Sequence, residues 1–425
     1  MRGGSKLNKN NSLRVMELFA GVGGFRLGLE NANADLFHTV WANQWEPSRK
    51  AQDAFDCYTR NFSEGIHVNK DIATISNEEF KAANPDLVVG GFPCQDYSVA
   101  RSLSNEKGIQ GKKGVLFWEI KRVLEATHPK YVLLENVDRL LKSPSKQRGR
   151  DFAVMLATFR DLNYSVEWRV INAADYGFVQ RRRRVFIFAY KNDLSFASKQ
   201  KSSSLSDVVL KNGFFAKPFP VEEDAYKNRA EKGRLLDDIV EISDTFSFSF
   251  HTAGAMIDGD FYTAHVIPKE KNPTTLGEII LPSHKVDEKF YLNKEDEEKF
   301  DYLRGYKKIE RTSADGHKYY YSEGGMSPTD ALDKPGRTML TSEGSRNRST
   351  HIIEINERKR LLTPIECERL NGFPDNWTSG MTDRMRYFCM GNALVVGVVE
   401  LIGHRIEEID EDETISHSQL EFLLG

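Results

Sequence analysis

The amino-acid sequence predicts an α/β protein with a doubly wound sheet and a second, smaller domain of mostly β or irregular structure. Over residues 13–190, short apolar runs alternate with amphipathic helical stretches, which is the pattern of strand–helix–strand units in a parallel sheet. Beyond about residue 213 this alternation stops. From there to about residue 350, Gly, Pro, aromatic and charged residues are mixed around short strand-like pieces such as Lys318 to Tyr321.

The chain has 425 residues and a net charge of −3, and it is long enough for two or three domains. That charge argues against indiscriminate coating of nucleic acid but allows a local basic cleft. No apolar run reaches membrane-spanning length and no signal-peptide pattern opens the chain, which favours a cytoplasmic location. Residues 1–12 are expected to be a disordered or tag-derived leader, because Met1 to Ser5 resembles a vector-derived sequence.

The four cysteines predict neither a zinc site nor a disulfide framework. They are scattered along the chain without any C-x-x-C spacing. We therefore expect no metal in the protein and free thiols in a reducing compartment. Three of them are assigned to packing, because a free Cys is among the most buried residue types: Cys57, Cys367 and Cys389.

The first strand, Leu13 to Leu18, runs into a glycine turn from Phe19 to Gly24 and then into a helix through Glu30. A strand, a glycine turn and a helix N-terminus together bring backbone N–H groups close to a ligand. A side chain at Gly23 is expected to block that approach. The spacing is not the full G-x-G-x-x-G, so a tight turn without a ligand is the alternative.

Polar residues follow the second strand, Phe37 to Ala42. Gln44 or Glu46 can reach a ribose hydroxyl from this position in a doubly wound fold, and Trp45 can stack on a ring or pack in the core. After the third strand, Asp71 can be a helix N-cap or can accept a hydrogen bond from an exocyclic amine.

A candidate nucleophile, Cys94, follows the buried strand Pro85 to Val89 and the turn Gly90 to Pro93. Open α/β sheets bind their ligands at the carboxyl ends of strands, where this thiol lies. The alternative is a buried structural cysteine, but the Gly- and Pro-rich turn and the polar residues after it disfavour that. The Gly- and Lys-containing stretch from Ser102 to Gly114 is expected to be a mobile lid.

Glu135 ends the next apolar strand, Tyr131 to Leu134, so it is a candidate acid or hydrogen-bond donor beside Cys94. An arginine run, residues 181–184, leads into the strand Val185 to Tyr190. Strand alternation places Arg182 and Arg184 on one side and the other two arginines on the opposite side. One pair can then point into the site while the other meets solvent or phosphate.

The rest of the chain is expected to contain a linker, a capped helix and a returning helix. Lys191 to Asn212 loses periodicity and is rich in Ser and Lys, which predicts a linker. Thr363, followed by Pro364 and Glu366, predicts a capped helix start. Gly391-Asn392 leads into an apolar helix that can pack back on the first domain, and the acidic tail after Glu407 is expected to be peripheral.

In these segments the chain resembles the bacterial DNA (cytosine-5)-methyltransferases. Phe19 to Gly24 is similar to the family's first S-adenosylmethionine motif, Pro93-Cys94-Gln95 to its Pro-Cys motif, and Glu135-Asn136-Val137 to its Glu-Asn-Val motif. Gln180 to Arg184 resembles the Gln-x-Arg-x-Arg motif, Arg360 to Trp377 the segment that organises the recognition domain, and Gly391-Asn392 the last cofactor motif. The six motifs occur in family order and span most of the chain. One departure is Gln44, where the family often has Glu.

The resemblance implies a Rossmann-like, S-adenosylmethionine-dependent domain at residues 13–192, completed by 385–408, and a target-recognition domain at 193–384. It implies that the catalytic residues are Cys94, Glu135, Arg182 and Arg184. It implies a cofactor site that contains Phe19, Ala20, Gly21, Gly23, Gly24, Gln44, Trp45, Asp71, Ile72, Leu116 and Asn392. It implies DNA contacts from Gln95, Ser98, Arg101 and Lys112, with no metal.

The implied activity is sequence-specific methyl transfer from S-adenosylmethionine to carbon-5 of a cytosine flipped out of duplex DNA, through a covalent Cys94 adduct. The implied setting is a monomer in the bacterial cytoplasm, with a restriction endonuclease as a possible companion on the same site. Three alternatives are a tRNA cytosine-5 methyltransferase, a non-catalytic nucleic-acid-binding regulator and a nicotinamide-dependent dehydrogenase. The long variable region disfavours the tRNA methyltransferase, and the intact Cys94 and Glu135 disfavour the non-catalytic regulator. The glycine spacing disfavours the dehydrogenase.

Overall fold

The computed structural model describes residues 12–92, 116–222, 229–313 and 315–424. The chain forms two compact units. The first contains Met1–Tyr176, Arg183–Lys271 and Val396–Gly425, and the second contains Gly177–Arg182 and Asn272–Val395. These bounds differ from the predicted domains, because residues 193–271 belong to the first unit. The assignment of the domains to cofactor binding and target recognition stays a prediction.

The first unit is built on one ten-stranded sheet in the order β3-β2-β1-β4-β5-β7-β6-β9-β10-β8. Strands β1 to β5 are mutually parallel, and their interior side chains form a continuous apolar core. The strand bounds are β1 Leu13–Leu18, β2 Phe37–Asn43, β3 Ile66–Val68, β4 Leu87–Gly91, β5 Tyr131–Asn136, β6 Tyr164–Asn172, β7 Arg183–Lys191, β8 Ala230–Arg234, β9 Ala253–Ile257 and β10 Asp260–Ala264.

The α/β class and the Rossmann-like half of the prediction are confirmed, but the sheet over residues 13–190 is mixed rather than parallel. β7 pairs antiparallel with both β5 and β6. The connection from Asn172 to Arg183 holds only a short 3-10 turn, whereas a parallel crossover needs a dozen or more residues and usually a helix. β7 therefore returns antiparallel, and β9, β10 and β8 extend the sheet in the same way.

The helices of the first unit cover the sheet. The C-terminal helix begins at Val396 and packs on the helix that follows the glycine turn, so closely that a Cβ built at Gly28 would lie 2.6 Å from Cβ of Val399. The helix bounds are α1 Gly24–Asn33, α2 Asp53–Asn61, α3 Asn77–Ala83, α4 Leu116–Thr127, α5 Arg150–Asp161, α6 Ser195–Lys201, α7 Leu205–Asp207, α8 Ile239–Thr245 and, at the C-terminus, Val396–Leu424.

The prediction that Lys191 to Asn212 is a linker is wrong. The prediction that the acidic tail after Glu407 is peripheral is also wrong, because part of that tail is buried. The segment folds into α6, α7 and a π-helical turn. Glu413, only 4% exposed, accepts hydrogen bonds from the backbone N–H groups of Ser195 and Phe196 at 2.9 and 2.6 Å. The tail thus caps α6 across 218 residues of sequence, a pairing that no local pattern shows.

The second unit contains short elements around buried ion pairs. Arg360 and Glu366 are both fully buried and lie 2.6 Å apart, and Glu366 also forms the predicted capping box with Thr363. The pair and its cap fix the start of that helix, since an unpaired buried charge would be strongly destabilising. The bounds are α9 Leu276–Ile279, α10 Lys294–Arg304, β11 Lys307–Thr312, β12 Lys318–Glu323, β13 Ile352–Ile355, β14 Arg358–Leu361, α11 Pro364–Leu370 and α12 Asp383–Asn392.

Over the described ranges, no single helix is long and apolar enough to cross a membrane. Only the consecutive helices Asp383–Asn392 and Val396–Ser416, taken together, reach the length and composition of a span.

Candidate active site

The predicted site residues of the first unit converge on the carboxyl ends of the central strands. β1 lies between β2 and β4, so the order of the strands reverses between β1 and β4. The register places Leu18 opposite Gly90 and Gly91 opposite Glu135. The glycine turn, the end of β4 and Glu135 therefore share one edge of the sheet, at the point where doubly wound sheets bind ligands.

The turn after β1 has an unusual backbone. Phe19, Gly21 and Gly23 have φ values of 55°, 56° and 89°, in the left-handed region. Phe19 is not a glycine, so its conformation is strained and needs support from its surroundings. That support includes a hydrogen bond from the Ala20 N–H to the Asn43 carbonyl at 2.9 Å.

A buried polar cluster lies beneath this turn, and sequence reasoning missed it. Glu17 on β1 is fully buried, and its Oε2 accepts a hydrogen bond from the Tyr58 hydroxyl at 2.8 Å. A Cβ built at Gly23 would lie 2.3 Å from the Phe62 ring, which in turn packs under the Arg26 guanidinium at 4.3 Å. A side chain at position 23 would thus meet Phe62, and the expectation that Gly23 lies next to a ligand stays a prediction. A charged residue inside an apolar strand was the one available signal.

Glu17 should make the stability of the protein depend on pH. Burial raises the pKa of Glu17 from 4.5 to about 7. A carboxyl with a raised pKa contributes stability below its unfolded pKa, and that stability is lost as the pH rises through 7. We expect the melting temperature to fall more steeply from pH 5.5 to 8.5 in the wild type than in Glu17→Gln. Over this pH range the difference corresponds to about 2 kcal/mol.

Differential scanning fluorimetry at matched ionic strength measures this difference. The exposed Glu78 provides the control variant, Glu78→Gln, which should follow the wild-type curve. Parallel curves for the wild type and Glu17→Gln would contradict the expected titration of Glu17.

The predicted cofactor residues after β2 and β3 occupy three different environments. The side-chain Oε1 of Gln44 accepts a hydrogen bond from the Gly21 N–H at 2.8 Å, which ties the residue after β2 to the glycine turn. Trp45 is 37% exposed, which rules out the core-packing alternative. Asp71 is an N-cap, accepting from the Ala73 N–H at 3.0 Å, and Ile72 is buried. Glu46 is half-buried, and burial raises its pKa.

These residues fit the adenosine end of S-adenosylmethionine. A Cβ built at Gly21 meets no atom of the described residues within 4 Å, so the backbone there is open to a ligand. Trp45 offers a ring face, and Gln44 and Asp71 offer polar atoms at the ends of β2 and β3. Leu116 begins α4 and is half-buried. Asn392 is exposed at the end of α12 in the second unit.

The two glycines of the turn therefore predict different phenotypes. Gly21→Ala adds a methyl group where the cofactor would contact the backbone, so we expect about tenfold or greater loss of S-adenosylmethionine affinity. Its melting temperature should fall by only a few degrees, because φ of 56° is tolerated at a modest cost. Gly23→Ala must displace Phe62 and should mainly lower the melting temperature. Calorimetry and thermal melting separate the two, and an unchanged affinity in folded Gly21→Ala would refute the assignment.

Glu135 and Arg184 form the central charged pair of the site. Arg184 Nε lies 2.9 Å from Glu135 Oε1, and the two side chains are 19% and 14% exposed. The other carboxylate oxygen lies 3.2 Å from the Cβ position of Gly91, next to the end of β4. A partly buried ion pair is held in one geometry more firmly than an exposed one, so Arg184 fixes the orientation of this carboxylate.

Asn136 fixes the chain that leaves β4. The side-chain Nδ2 of Asn136 donates a hydrogen bond to the Phe92 carbonyl at 2.9 Å, and the side-chain Oδ1 accepts one from the Val137 N–H at 2.8 Å. Phe92 is two residues before Cys94 in the sequence. The Glu-Asn-Val segment thus joins the acid candidate to the strand that leads to the nucleophile candidate.

The arginine run alternates as expected. Arg181 and Arg183 are exposed, and Arg183 pairs with Asp138 at 3.2 Å. Arg182 is 2% exposed and donates to the carbonyls of Met339 and Gly391 at 3.1 and 2.9 Å, all within the second unit. Arg184 contacts Glu135 in the first unit. The described contacts of Arg182 are those of a structural residue.

Several predicted residues lie outside the described part of the chain. They are the nucleophile candidate Cys94, the DNA-contact candidates Gln95, Ser98, Arg101 and Lys112, and the predicted lid from Ser102 to Gly114. The three cysteines assigned to packing, Cys57, Cys367 and Cys389, are buried thiols, as predicted.

Comparison with known proteins places the chain among methylases. The family described as C-5 cytosine-specific DNA methylase matches residues 13–408. The chain is 61% identical over 410 residues to the Type II methyltransferase M.Sau3AI of Staphylococcus aureus, covering 96% of this chain and 99% of that protein. It is 27% identical over 395 residues to the Type II methyltransferase M.HhaI of Haemophilus parahaemolyticus, covering 93% and 94%.

Solved structures support the fold alone. The S. pombe Dnmt2 methyltransferase is similar with a TM-score of 0.60 and 18% identity, covering 93% of this chain and 99% of that one. The Entamoeba histolytica methyltransferase EhMeth gives a TM-score of 0.57 and 15% identity, covering 95% and 99%.

Proposed function

Because the chain belongs to the C-5 cytosine-specific DNA methylase family, we propose that this DNA (cytosine-5)-methyltransferase acts through a covalent Cys94 adduct on a flipped-out cytosine. The observation that carries the proposal is the Glu135–Arg184 pair, formed between the end of β5 and the start of β7. The pair lies beside Gly91, and Asn136 holds the carbonyl of Phe92, two residues before Cys94. An acid, a cation and the strand leading to a thiol thus meet at one edge of the sheet.

The role of Cys94 follows from the chemistry of the substrate. Carbon-5 of cytosine is a poor nucleophile, but a thiolate that adds to carbon-6 makes the ring an enamine with electron density at carbon-5. A thiolate is both a good nucleophile and a good leaving group, which suits a step that must be reversed. After carbon-5 carries the methyl group, it loses its proton, the ring double bond re-forms, and the sulfur–carbon-6 bond breaks to release the thiolate.

Glu135 and Arg184 act on the opposite edge of the base. As the thiolate adds, negative charge develops on the ring, and Glu135 stabilises it by a hydrogen bond or proton at ring N3 and at the exocyclic amine. Arg184 keeps the carboxylate oriented through the 2.9 Å contact and supplies positive charge near the base. Fixed charges aimed at the developing charge lower the barrier without reorganisation during the reaction.

The cofactor residues of the first unit would hold S-adenosylmethionine beside the base. When bound there, S-adenosylmethionine supplies the methyl group. Gly21 leaves the backbone open, Gln44 keeps the turn in place, and Trp45 offers a stacking surface. Asn392 stays a cofactor-site candidate because it belongs to the last cofactor motif of the resemblance.

We propose duplex DNA as the substrate, and its support is that the family is described as C-5 cytosine-specific DNA methylase. A base inside the stack is out of reach, so the target must be flipped out at a cost of about a few kcal/mol. We assign base reading to the second unit. We further propose that the enzyme works as a monomer in the bacterial cytoplasm and that a restriction endonuclease shares its site.

The identity of 61% extends over 96% of the chain, so we propose that this enzyme and the S. aureus enzyme modify the same sequence. Unmethylated host DNA should accept labelled methyl groups from S-adenosylmethionine, whereas bulk tRNA should not. DNA first saturated by the S. aureus enzyme should accept almost none. Full labelling of the pretreated DNA would contradict the shared sequence, and labelling of tRNA alone would overturn DNA as the substrate.

A further inference from the structure

One element of the second unit is exposed on both faces: the antiparallel pair β11 and β12, here called the ribbon. Ten of its twelve strand residues are exposed. A two-stranded ribbon without a covered apolar face is marginally stable at best. A partner that covers one face of the ribbon would supply the contacts that stabilise it.

The ribbon and the residues just before it carry large exposed side chains, which are unusual in a hairpin that faces only solvent. Tyr319, Tyr320 and Tyr321 are consecutive and 43%, 61% and 38% exposed, and Ile309 is 39% exposed. Tyr302 and Tyr306, just before the ribbon, are about two-thirds exposed. Exposed apolar surface of this extent marks an interaction site rather than a solvated face.

The charges of the ribbon indicate the class of partner. The Lys308 ammonium lies 4.7 Å from the centre of the Tyr320 ring, and the Arg311 guanidinium lies 4.2 Å from that of Tyr321. Among the described residues, no carboxylate forms an ion pair with either cation, whereas Lys307 and Lys318 are paired with glutamates. Two cations held over tyrosine rings are thus available to an anionic partner.

The register assigns these cations to opposite faces. Arg311 is opposite Tyr319 and Ile309 is opposite Tyr321, so these four side chains share one face. Lys308 lies on the other face together with Glu310 and Tyr320. Only one of the two faces can meet the floor of a groove.

We infer that the ribbon inserts into the major groove of duplex DNA with the Arg311 face towards the base edges. The major groove admits a two-stranded β-ribbon, and an arginine can donate two hydrogen bonds to guanine O6 and N7. Ile309 on the same face is suited to contact with a thymine methyl group, and the ribbon carboxylate on that face, Glu323, is paired with Lys307 and Arg348. Lys308 supplies a phosphate contact that is independent of sequence.

This inference rests on the proposed function, and it assigns recognition of the DNA bases to the ribbon of the second unit. Its probes are two short labelled duplexes: one carries the sequence that the wild-type enzyme methylates, mapped on host DNA, and the other carries the same bases scrambled. Arg311→Ala should lower affinity for the first duplex by about tenfold or more and leave the second almost unchanged. Lys308→Ala should weaken both equally and reduce the slope of log affinity against log salt by about one.

Lys299→Ala is the matched control, since Lys299 is an exposed cation on α10 of the same unit but not on the ribbon. It should bind both duplexes as the wild type does. All three variants should keep the wild-type melting temperature and S-adenosylmethionine affinity, because the changes are at exposed positions. An Arg311→Ala enzyme that keeps its preference for the mapped sequence would overturn the inference, as would an equal loss in Lys299→Ala.

The proposed function fails separately from the ribbon. If the wild type adds no methyl group to cytosine in DNA, the function is wrong. If the wild type methylates DNA and the ribbon variants match it in affinity and sequence preference, only the ribbon is wrong. A concentration-dependent dimer that dissociates in Arg311→Ala, with unchanged DNA binding, would assign the ribbon to a second copy of the chain and refute groove insertion.

Discussion

Cys94→Ala is expected to lose methyl transfer by about 10⁴-fold or more, since the thiolate that activates the ring is removed. In the proposed mechanism the reaction of the wild type passes through a sulfur–carbon-6 bond, and release requires loss of the hydrogen at carbon-5. Fluorine at that carbon cannot leave as a cation. A duplex with 5-fluorocytosine in the methylated sequence should therefore give a denaturation-resistant protein–DNA band with the wild type in the presence of S-adenosylmethionine.

The same duplex should give no band with Cys94→Ala, while cofactor and DNA binding stay close to the wild type, because a methyl group replaces a small thiol. Cys389→Ala is the control, since Cys389 is buried and lies in the second unit. It should still form the band. A trapped complex in Cys94→Ala, or none in an active wild-type enzyme, would exclude the covalent mechanism.

Arg184→Ala is expected to lower kcat by about 10²–10³-fold, because Glu135 loses the cation that orients it 2.9 Å away. Glu135→Gln should lower kcat to a similar or greater extent, since the amide keeps the shape of the side chain but cannot donate a proton. If the two residues act as one unit, the kcat of the double variant should be only slightly lower than that of the less active single variant. Single-turnover methyl transfer at saturating DNA measures all three rates.

Arg183→Ala tests whether position or charge matters. Arg183 is adjacent in sequence, but it points to the exposed side of β7 and pairs with Asp138. Its loss should leave the single-turnover rate within a few-fold of the wild type and can affect only DNA affinity. A rate loss in Arg183→Ala equal to that in Arg184→Ala would show that the arginine run acts as bulk positive charge rather than through the Glu135 contact.

The local structure of the first unit was predictable because it depends on neighbouring residues. Apolar runs predicted β1, β2, β4, β5 and β7 to within two residues at each end, and in the second unit the Thr363 capping box predicted a helix start. The alternation of the arginine run followed from the period of a strand, so Arg183 and Arg184 face opposite ways. In these places the physical cause lies within a few residues of sequence, where a pattern can show it.

What only the tertiary structure decided depends on residues that are far apart in the chain. The direction of β7, the inclusion of residues 193–271 in the first unit and the capping of α6 by Glu413 each result from packing across many residues. The same holds for the site. Sequence alone nominated Glu135, Arg182 and Arg184 together, and the fold joined Glu135 to Arg184 but gave Arg182 carbonyl partners in the second unit. A motif identifies candidate residues from their positions in the sequence. It does not identify their hydrogen-bond partners, because these depend on which groups are buried together in the folded protein.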